Sequence, residues 1–151
     1  MALQQFRASA QLQAGTRVDV SARQFSLAID EPAELGGTDT GMNPVEALLG
    51  ALGACQAIVA RVYARQFKVQ LDDFRVEVEG DLDLDGFFGK APVRPGYGEI
   101  RYRFQISTPS PRANVDALIA HLERHCPVGD SLAQPVPLKL AGIDITETAA
   151  A

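Results

Sequence analysis

Residues 41–67 read GMNPVEALLGALGACQAIVARVYARQF, and this stretch decides the fold. Asn43 can cap a helix with its side-chain oxygen, Pro44 suits the first helical position, and Glu46 stands three residues after the cap. A capping box followed by a long apolar run predicts a helix that begins at 43–46 and continues to about Phe67.

The predicted helix is apolar on almost its whole circumference. One face consists of residues that recur at three- and four-residue steps: Leu48, Ala51, Leu52, Cys55, Ile58, Val59 and Val62. The other sides are largely apolar too, with Leu49, Ala54 and Ala57. Such a helix must be buried nearly all round, and in a monomer it would expose a larger hydrophobic patch than monomers normally carry. We therefore expect an obligate homodimer.

Strand patterns lie on both sides of this helix. Alternating apolar residues predict a strand over Phe25–Asp30, with residues 3–12 and 16–21 as weaker partner strands. Two clearer strands follow the helix, around residues 74–79 and 100–106. Between them, the irregular insertion Asp81–Gly98 contains four glycines, two prolines and the pair Phe87-Phe88, a composition typical of a binding loop.

The last third of the chain predicts a helix, a short helix and a strand. Apolar spacing places an amphipathic helix over Asn114–Arg124, and a short helix is expected at Gly129–Ala133. A final strand is expected over Val136–Ile145, with a slip at Ala141-Gly142. With no internal repeat and no linker, residues 1–151 are expected to form a single α+β domain.

Composition narrows the class of function. The formal net charge is −5 and the 14 basic residues are scattered, which disfavours nucleic acid or an anionic membrane as a partner. We expect no bilayer span, since the apolar stretch Ala47–Ala60 is short and is soon followed by charges. The N-terminus lacks the pattern of a signal peptide, so a cytoplasmic location is expected. Two histidines and no Cys-x-x-Cys motif make a structural zinc site improbable, and no metal-binding residue is expected.

Cys55 lies in the middle of the predicted helix, beside Gly53 and Ala54. It can be read as a small buried hydrophobic residue, because free cysteine is among the most buried residue types. It can also be read as a reactive thiol. Gly50 and Gly53 each cost a helix interior about 1 kcal/mol against alanine, and their small size gives a substrate or a second helix access to the sulfur.

Cys126 follows the predicted amphipathic helix and precedes Pro127. It is either a core residue at a helix end or, if Pro127 opens a short helix over 127–133, a thiol at that helix's N-terminus, where the dipole lowers a thiol pKa. The adjacent His125 does not indicate a Cys–His nucleophile, because neighbouring side chains in extended structure point apart.

Two segments resemble the OsmC/Ohr family. Residues 30–55, which include Gly36-Gly37-Thr38-Asp39 and the run from Gly41 to Cys55, are similar to the family's first-cysteine segment. Residues 125–132, His-Cys-Pro-Val-Gly-Asp-Ser-Leu, are similar to its second-cysteine segment. The resemblance implies an α+β fold in which antiparallel sheets wrap long central helices in an intertwined homodimer.

The resemblance also implies a thiol-dependent hydroperoxide reductase. Cys55 would attack the peroxide and become a sulfenic acid, and Cys126 would resolve it as a disulfide that a dithiol or thiol protein reduces. This chemistry needs no cofactor. The mechanism requires the two Cα atoms to approach within about 7 Å, at least after a modest rearrangement. We expect both sulfurs to be poorly accessible, in a cleft flanked by the insertion.

The arginine and glutamate that assist the reactive cysteine in the family are harder to assign in this sequence. An arginine that favours the thiolate is assigned to Arg23, with Arg17 as the second choice. The family's glutamate directly follows the proline, but here that place is Val45 and the acid is Glu46. Glu46 is nine residues from Cys55, about 13 Å of helical rise and half a revolution away. It can therefore assist only from a partner subunit, or it serves as a helix cap.

Three functions remain open from the sequence. An organic hydroperoxide is the expected substrate, because apolar residues surround Cys55. A dimer that binds a small ligand without turnover, and a redox sensor without a catalytic cycle, are the alternatives. The departure at Val45 keeps the alternatives open.

Overall fold

The computed structural model describes residues 3–147, which form five strands, four α-helices and one 3-10 turn. In chain order these are β1 (Ser9–Leu12), β2 (Val18–Ala22), β3 (Phe25–Ile29), the 3-10 turn Ala33–Leu35, α1 (Pro44–Tyr63), β4 (Asp73–Asp81), α2 (Leu84–Phe87), β5 (Glu99–Ser107), α3 (Arg112–His125) and α4 (Pro127–Ala133).

The strands form two separate antiparallel sheets. The first has the order β1-β2-β3, and the second is the pair β4-β5, in register from Asp73 opposite Ser107 to Asp81 opposite Glu99. α1 packs on β4, α3 and α4. The core lies where α1 meets α3 and the second sheet, and its fully buried members include Ala60, Leu118 and Leu122.

α1 begins as its sequence predicts. The Asn43 side chain accepts a hydrogen bond from the Glu46 backbone N–H at 2.9 Å, and the Glu46 carboxylate accepts one from the Asn43 N–H at 2.8 Å. This is a complete capping box. α1 is also long and apolar enough to cross a membrane by length and composition alone, a test that core helices of soluble proteins pass as well.

α1 ends at Tyr63, four residues before the predicted end at Phe67. One further turn follows and closes at Lys68, whose φ of 54° is left-handed. The Val69 N–H bonds to the Ala64 carbonyl at 2.8 Å, and the Lys68 N–H to the Arg65 carbonyl at 3.1 Å. These paired bonds are a Schellman ending, which satisfies the last carbonyls and turns the chain towards β4.

One of the two helix glycines has a packing role. A Cβ on Gly53 would lie 3.3 Å from Val78 Cγ2, so glycine lets α1 approach β4 closely. Gly50 faces open space. The low helix propensity of Gly53 is therefore offset by a tight contact between helix and sheet.

A second face of α1 has no cover in the single chain. Its exposed residues include Ala51, Ala54, Ile58 and Val62, and Ile58 is 64% exposed. The first sheet makes its main contacts within itself. Its apolar residues Leu12 and Phe25 are exposed as well.

The predicted final strand over Val136–Ile145 is wrong for the single chain. Within the described residues, 135–147 form no regular secondary structure, and Leu138 is 96% exposed. The alternating pattern is present in the sequence, but a strand also needs a neighbouring edge that takes its backbone hydrogen bonds. The single chain places no such edge beside this segment.

Candidate active site

Cys55 lies in the middle of α1, on the border between two faces of the helix. The buried stripe of α1 contains Leu52, Gln56 and Val59, and the exposed face contains Ala51 and Ile58. Cys55 is half-buried and packs against the hydrophobic core. Its sulfur therefore sits at the edge of the core rather than inside it.

Cys126 is the N-cap of α4. Its backbone is extended, Pro127 occupies the first helical position, and its Sγ accepts a hydrogen bond from the Gly129 N–H at 3.3 Å. The side chain is only 2% exposed. This is the helix-N-terminal position that the sequence left open as one of two readings, and the thiol is buried there as well.

Burial outweighs the helix end in setting the acidity of Cys126. Desolvation raises the pKa of the Cys126 thiol above its usual value, while the Gly129 and Val128 N–H groups lower it. The net direction is upward. A helix N-terminus thus does not make Cys126 a stable thiolate in this chain.

The fold brings the two thiols together. Cys55 lies on α1 and Cys126 caps α4, two helices that pack on each other, and Cys55 is close enough to raise the pKa of the Cys126 thiol. Both cysteines are free thiols. Tyr63 of α1 packs on His121 of α3 with ring centroids 4.2 Å apart, which fixes the end of α3, and with it Cys126, against α1.

A cavity of about 540 Å³ opens beside Cys126. It lies between α1, the end of the insertion, β5 and α4, and Cys126 is part of its wall. Most of its other lining is apolar or aromatic and includes Leu48, Leu52, Tyr97, Ile100, Tyr102 and Leu132. Arg94, Glu99 and Glu123 are its charged lining residues.

The expected helpers lie elsewhere in the single chain. Glu46 caps α1 and lines the groove between α1 and β4, on the other side of the helix. Arg23 is at the turn between β2 and β3 with a φ of 56°, and its guanidinium lies 5.0 Å from the centre of the Phe25 ring. Arg17 pairs with Asp19 at 3.1 Å. A role beside Cys55 for Arg23 or Glu46 therefore requires a second chain.

Sequence reasoning missed two features of this region. Asp30 is buried and accepts hydrogen bonds from Thr16, Thr38 and Thr40, which organises the loop before α1 and holds the pKa of its carboxyl far below the usual range. Gln56 is a buried amide on the cavity wall. Its signal was available, since a polar residue one helical turn after Leu52 interrupts an apolar run.

The fold and the site define a class. A thiol in a central helix that lies close to a second thiol at a helix cap, beside an apolar cavity, describes a two-cysteine thiol protein. The chain belongs to the OsmC-like protein family, whose pattern residues 37–141 match. The resemblance and the α+β fold predicted from the sequence are therefore confirmed.

Relatives share this fold over most of the chain. A protein named hydroperoxide reductase from Mycoplasma pneumoniae is 26% identical over 120 residues, which cover 78% of this chain and 79% of that protein. The crystal structure of an OsmC-like protein from Mycoplasma pneumoniae matches with a TM-score of 0.76 at 22% identity, covering 87% of this chain and 89% of the other. An organic hydroperoxide resistance protein from Legionella pneumophila matches with a TM-score of 0.61 at 22% identity, covering 87% and 91%.

Proposed function

We propose that this protein is a thiol-dependent peroxidase that reduces organic hydroperoxides. The observation that carries the proposal is the proximity of the Cys55 and Cys126 thiols, which have 70 residues between them in sequence and lie on the packed helices α1 and α4. Membership of the OsmC-like family and the name of the Mycoplasma relative support the same chemistry.

The reaction balances with these two thiols and an external reductant. The Cys55 thiolate attacks the distal oxygen of ROOH, the O–O bond breaks, and the proximal oxygen takes a proton and leaves as ROH. Cys55 is then a sulfenic acid. The Cys126 sulfur attacks Cys55, a disulfide forms and water leaves. A dithiol or thiol protein reduces the disulfide and restores both thiols.

The cavity favours an organic substrate over hydrogen peroxide. Its wall is largely apolar and aromatic, and its volume of about 540 Å³ is large enough for a fatty or aromatic group. Hydrogen peroxide would gain nothing from such a wall.

The functional unit in this proposal is a homodimer. The exposed face of α1, the sheet that packs mainly on itself and the extended C-terminal segment all need cover that one chain does not supply. A second copy would cover them, and it would bring another Glu46 and Arg23 towards Cys55. We propose these two residues as the charged helpers, supplied across the interface.

One observation favours a second candidate function. The pKa of Cys126 is raised, and the Glu46 carboxylate is already engaged in the capping box. Both features favour slow turnover of the thiol pair. A dimer that binds a small apolar ligand, or that senses oxidation once without turnover, would have these features.

Peroxide consumption by the full chain distinguishes the peroxidase from the ligand-binding or sensing dimer. Wild type should reduce cumene hydroperoxide repeatedly with dithiothreitol, and Cys55→Ser should not. Cys126→Ser should consume one equivalent in the absence of added thiol to form the Cys55 sulfenic acid, which further peroxide should overoxidise to the sulfinic acid. If Cys55→Ser still consumes the first equivalent of peroxide and Cys126→Ser does not, Cys126 is the thiol that attacks the peroxide and Cys55 is the one that resolves it. One equivalent per wild-type chain with no turnover would favour the sensor.

A further inference from the structure

Gln56 is a polar side chain in an apolar place. It directly follows Cys55, is only 2% exposed and belongs to the buried stripe of α1. Its carbonyl oxygen Oε1 is enclosed and has no hydrogen-bond partner among the described residues. Buried polar side chains are normally hydrogen-bonded, so an orphan amide at this position needs an explanation.

The amide belongs to the wall of the cavity that Cys126 also lines. The two tyrosine hydroxyls of that wall already have partners. The Tyr97 hydroxyl donates to the Val45 carbonyl at 3.0 Å, and the Tyr102 hydroxyl donates to a Glu123 carboxylate oxygen at 3.2 Å. The Gln56 amide, whose oxygen is enclosed in this conformation, therefore has unused hydrogen-bonding capacity in the wall that Cys126 also lines, one residue after Cys55 in the chain.

A side-chain amide can both accept a hydrogen bond from a hydroperoxide group and donate one to it. Its oxygen accepts a hydrogen bond and its N–H group donates one. In ROOH the distal oxygen carries the proton, and the proximal oxygen develops negative charge as the O–O bond breaks. An amide facing the peroxide can accept from the distal O–H and donate to the proximal oxygen, which orients the distal oxygen and stabilises the leaving group.

We propose that Gln56 is a catalytic residue that hydrogen-bonds the hydroperoxide group of the substrate. This inference rests on the proposed peroxidase function and specifies how the substrate is held. In the attack step, the Cys55 thiolate forms the S–O bond, the O–O bond breaks, and the proximal oxygen leaves towards the Gln56 N–H and takes its proton from water. The amide itself is unchanged.

Because Gln56 recognises the O–O–H group, its effect should not depend on the organic substituent. Its loss should lower the rate of Cys55 oxidation by cumene hydroperoxide and by hydrogen peroxide by similar factors. The apolar wall should still discriminate between the two substrates.

The test uses Gln56→Met and Gln56→Leu in the full chain, with Gln66→Met as the matched control. Gln66 is an exposed glutamine in the turn after α1. The rate of Cys55 sulfenic acid formation should fall about a hundred- to a thousand-fold in both Gln56 variants, as for loss of a group that binds developing charge. The control should keep the wild-type rate. Thermal stability of the Gln56 variants should stay equal or rise, because an unsatisfied buried polar group has been removed.

Alkylation of Cys55 by iodoacetamide separates substrate binding from a structural role. Iodoacetamide has no O–O–H group, so the rate of alkylation in the Gln56 variants should remain within about two-fold of wild type. If the substitutions instead altered the reactivity of Cys55 itself, both alkylation and peroxide oxidation would be slower. Equal losses in alkylation and peroxide oxidation, or an unchanged peroxide rate in both Gln56 variants, would overturn the inference alone. A wild-type protein that leaves both peroxides unreduced would overturn the proposed function and this inference together.

Discussion

Replacing Ile58 by arginine tests the proposed homodimer through the exposed face of α1. Ile58 is 64% exposed and Val62 is 66% exposed in the single chain. Full burial of an aliphatic side chain contributes about 1.5–3 kcal/mol. Covering the part of each side chain that is still exposed would then contribute about 1–2 kcal/mol.

Two such side chains on each of two chains contribute roughly 4–8 kcal/mol to association. At about 1.4 kcal/mol per factor of ten, this is roughly three to six orders of magnitude in the dissociation constant. An arginine at position 58 removes part of that gain and places a charge without a partner in an apolar interface, which costs several kcal/mol more. We expect Ile58→Arg to shift the protein from dimer to monomer at micromolar concentration.

Light scattering coupled to size exclusion measures the mass directly. Wild type should show twice the chain mass of 16.2 kDa, and Ile58→Arg should show the single value. Val93→Arg is the matched control, because Val93 is an exposed valine in the insertion, 41% exposed, and should leave the dimer intact. A wild-type protein at 16.2 kDa, or an Ile58→Arg protein that stays dimeric, would refute the reasoning.

Three further predictions follow from burial and protonation. Burial raises the pKa of Cys126, so little thiolate is present at pH 7 and disulfide formation after one equivalent of peroxide should be slow there. The rate should increase as the pH rises past the usual thiol range. Stopped-flow rates of disulfide formation that do not change up to pH 9 would contradict this. The pKa of Asp30 is depressed on folding, so its stabilising effect is complete above its unfolded value of about 4 and is lost as the pH falls below it. Asp30→Asn should therefore destabilise the protein at pH 7 and flatten the acid limb of its stability curve in urea titrations, whereas an unaltered limb would assign acid sensitivity to other carboxylates. Leu118 is fully buried, so Leu118→Ala should lower the free energy of unfolding by about 2–5 kcal/mol, measured by chemical denaturation beside the exposed-site control Ala117→Ser.

Local chemistry determined much of the fold from the sequence alone. Three kinds of feature depend only on residues within a few positions of one another and could therefore be predicted from the sequence. They are the capping box at Asn43 and Glu46, the start of α1, and the alternation of apolar residues in β3, β4 and β5. The run that ends at Cys55 also indicated the family correctly.

The tertiary structure decided what depends on distant neighbours. Cys55 and Cys126 come close together because α3 and α4 pack on α1, and the raised pKa of Cys126 follows from burial that no local pattern encodes. The sequence shows Gln56 only as a polar interruption of an apolar run, and packing decided that its side chain is buried and that its amide oxygen lacks a partner beside a cavity. The segment Val136–Ile145 has the alternation of a strand and forms none in the single chain, because the hydrogen bonds of a strand come from a neighbouring edge rather than from its own sequence.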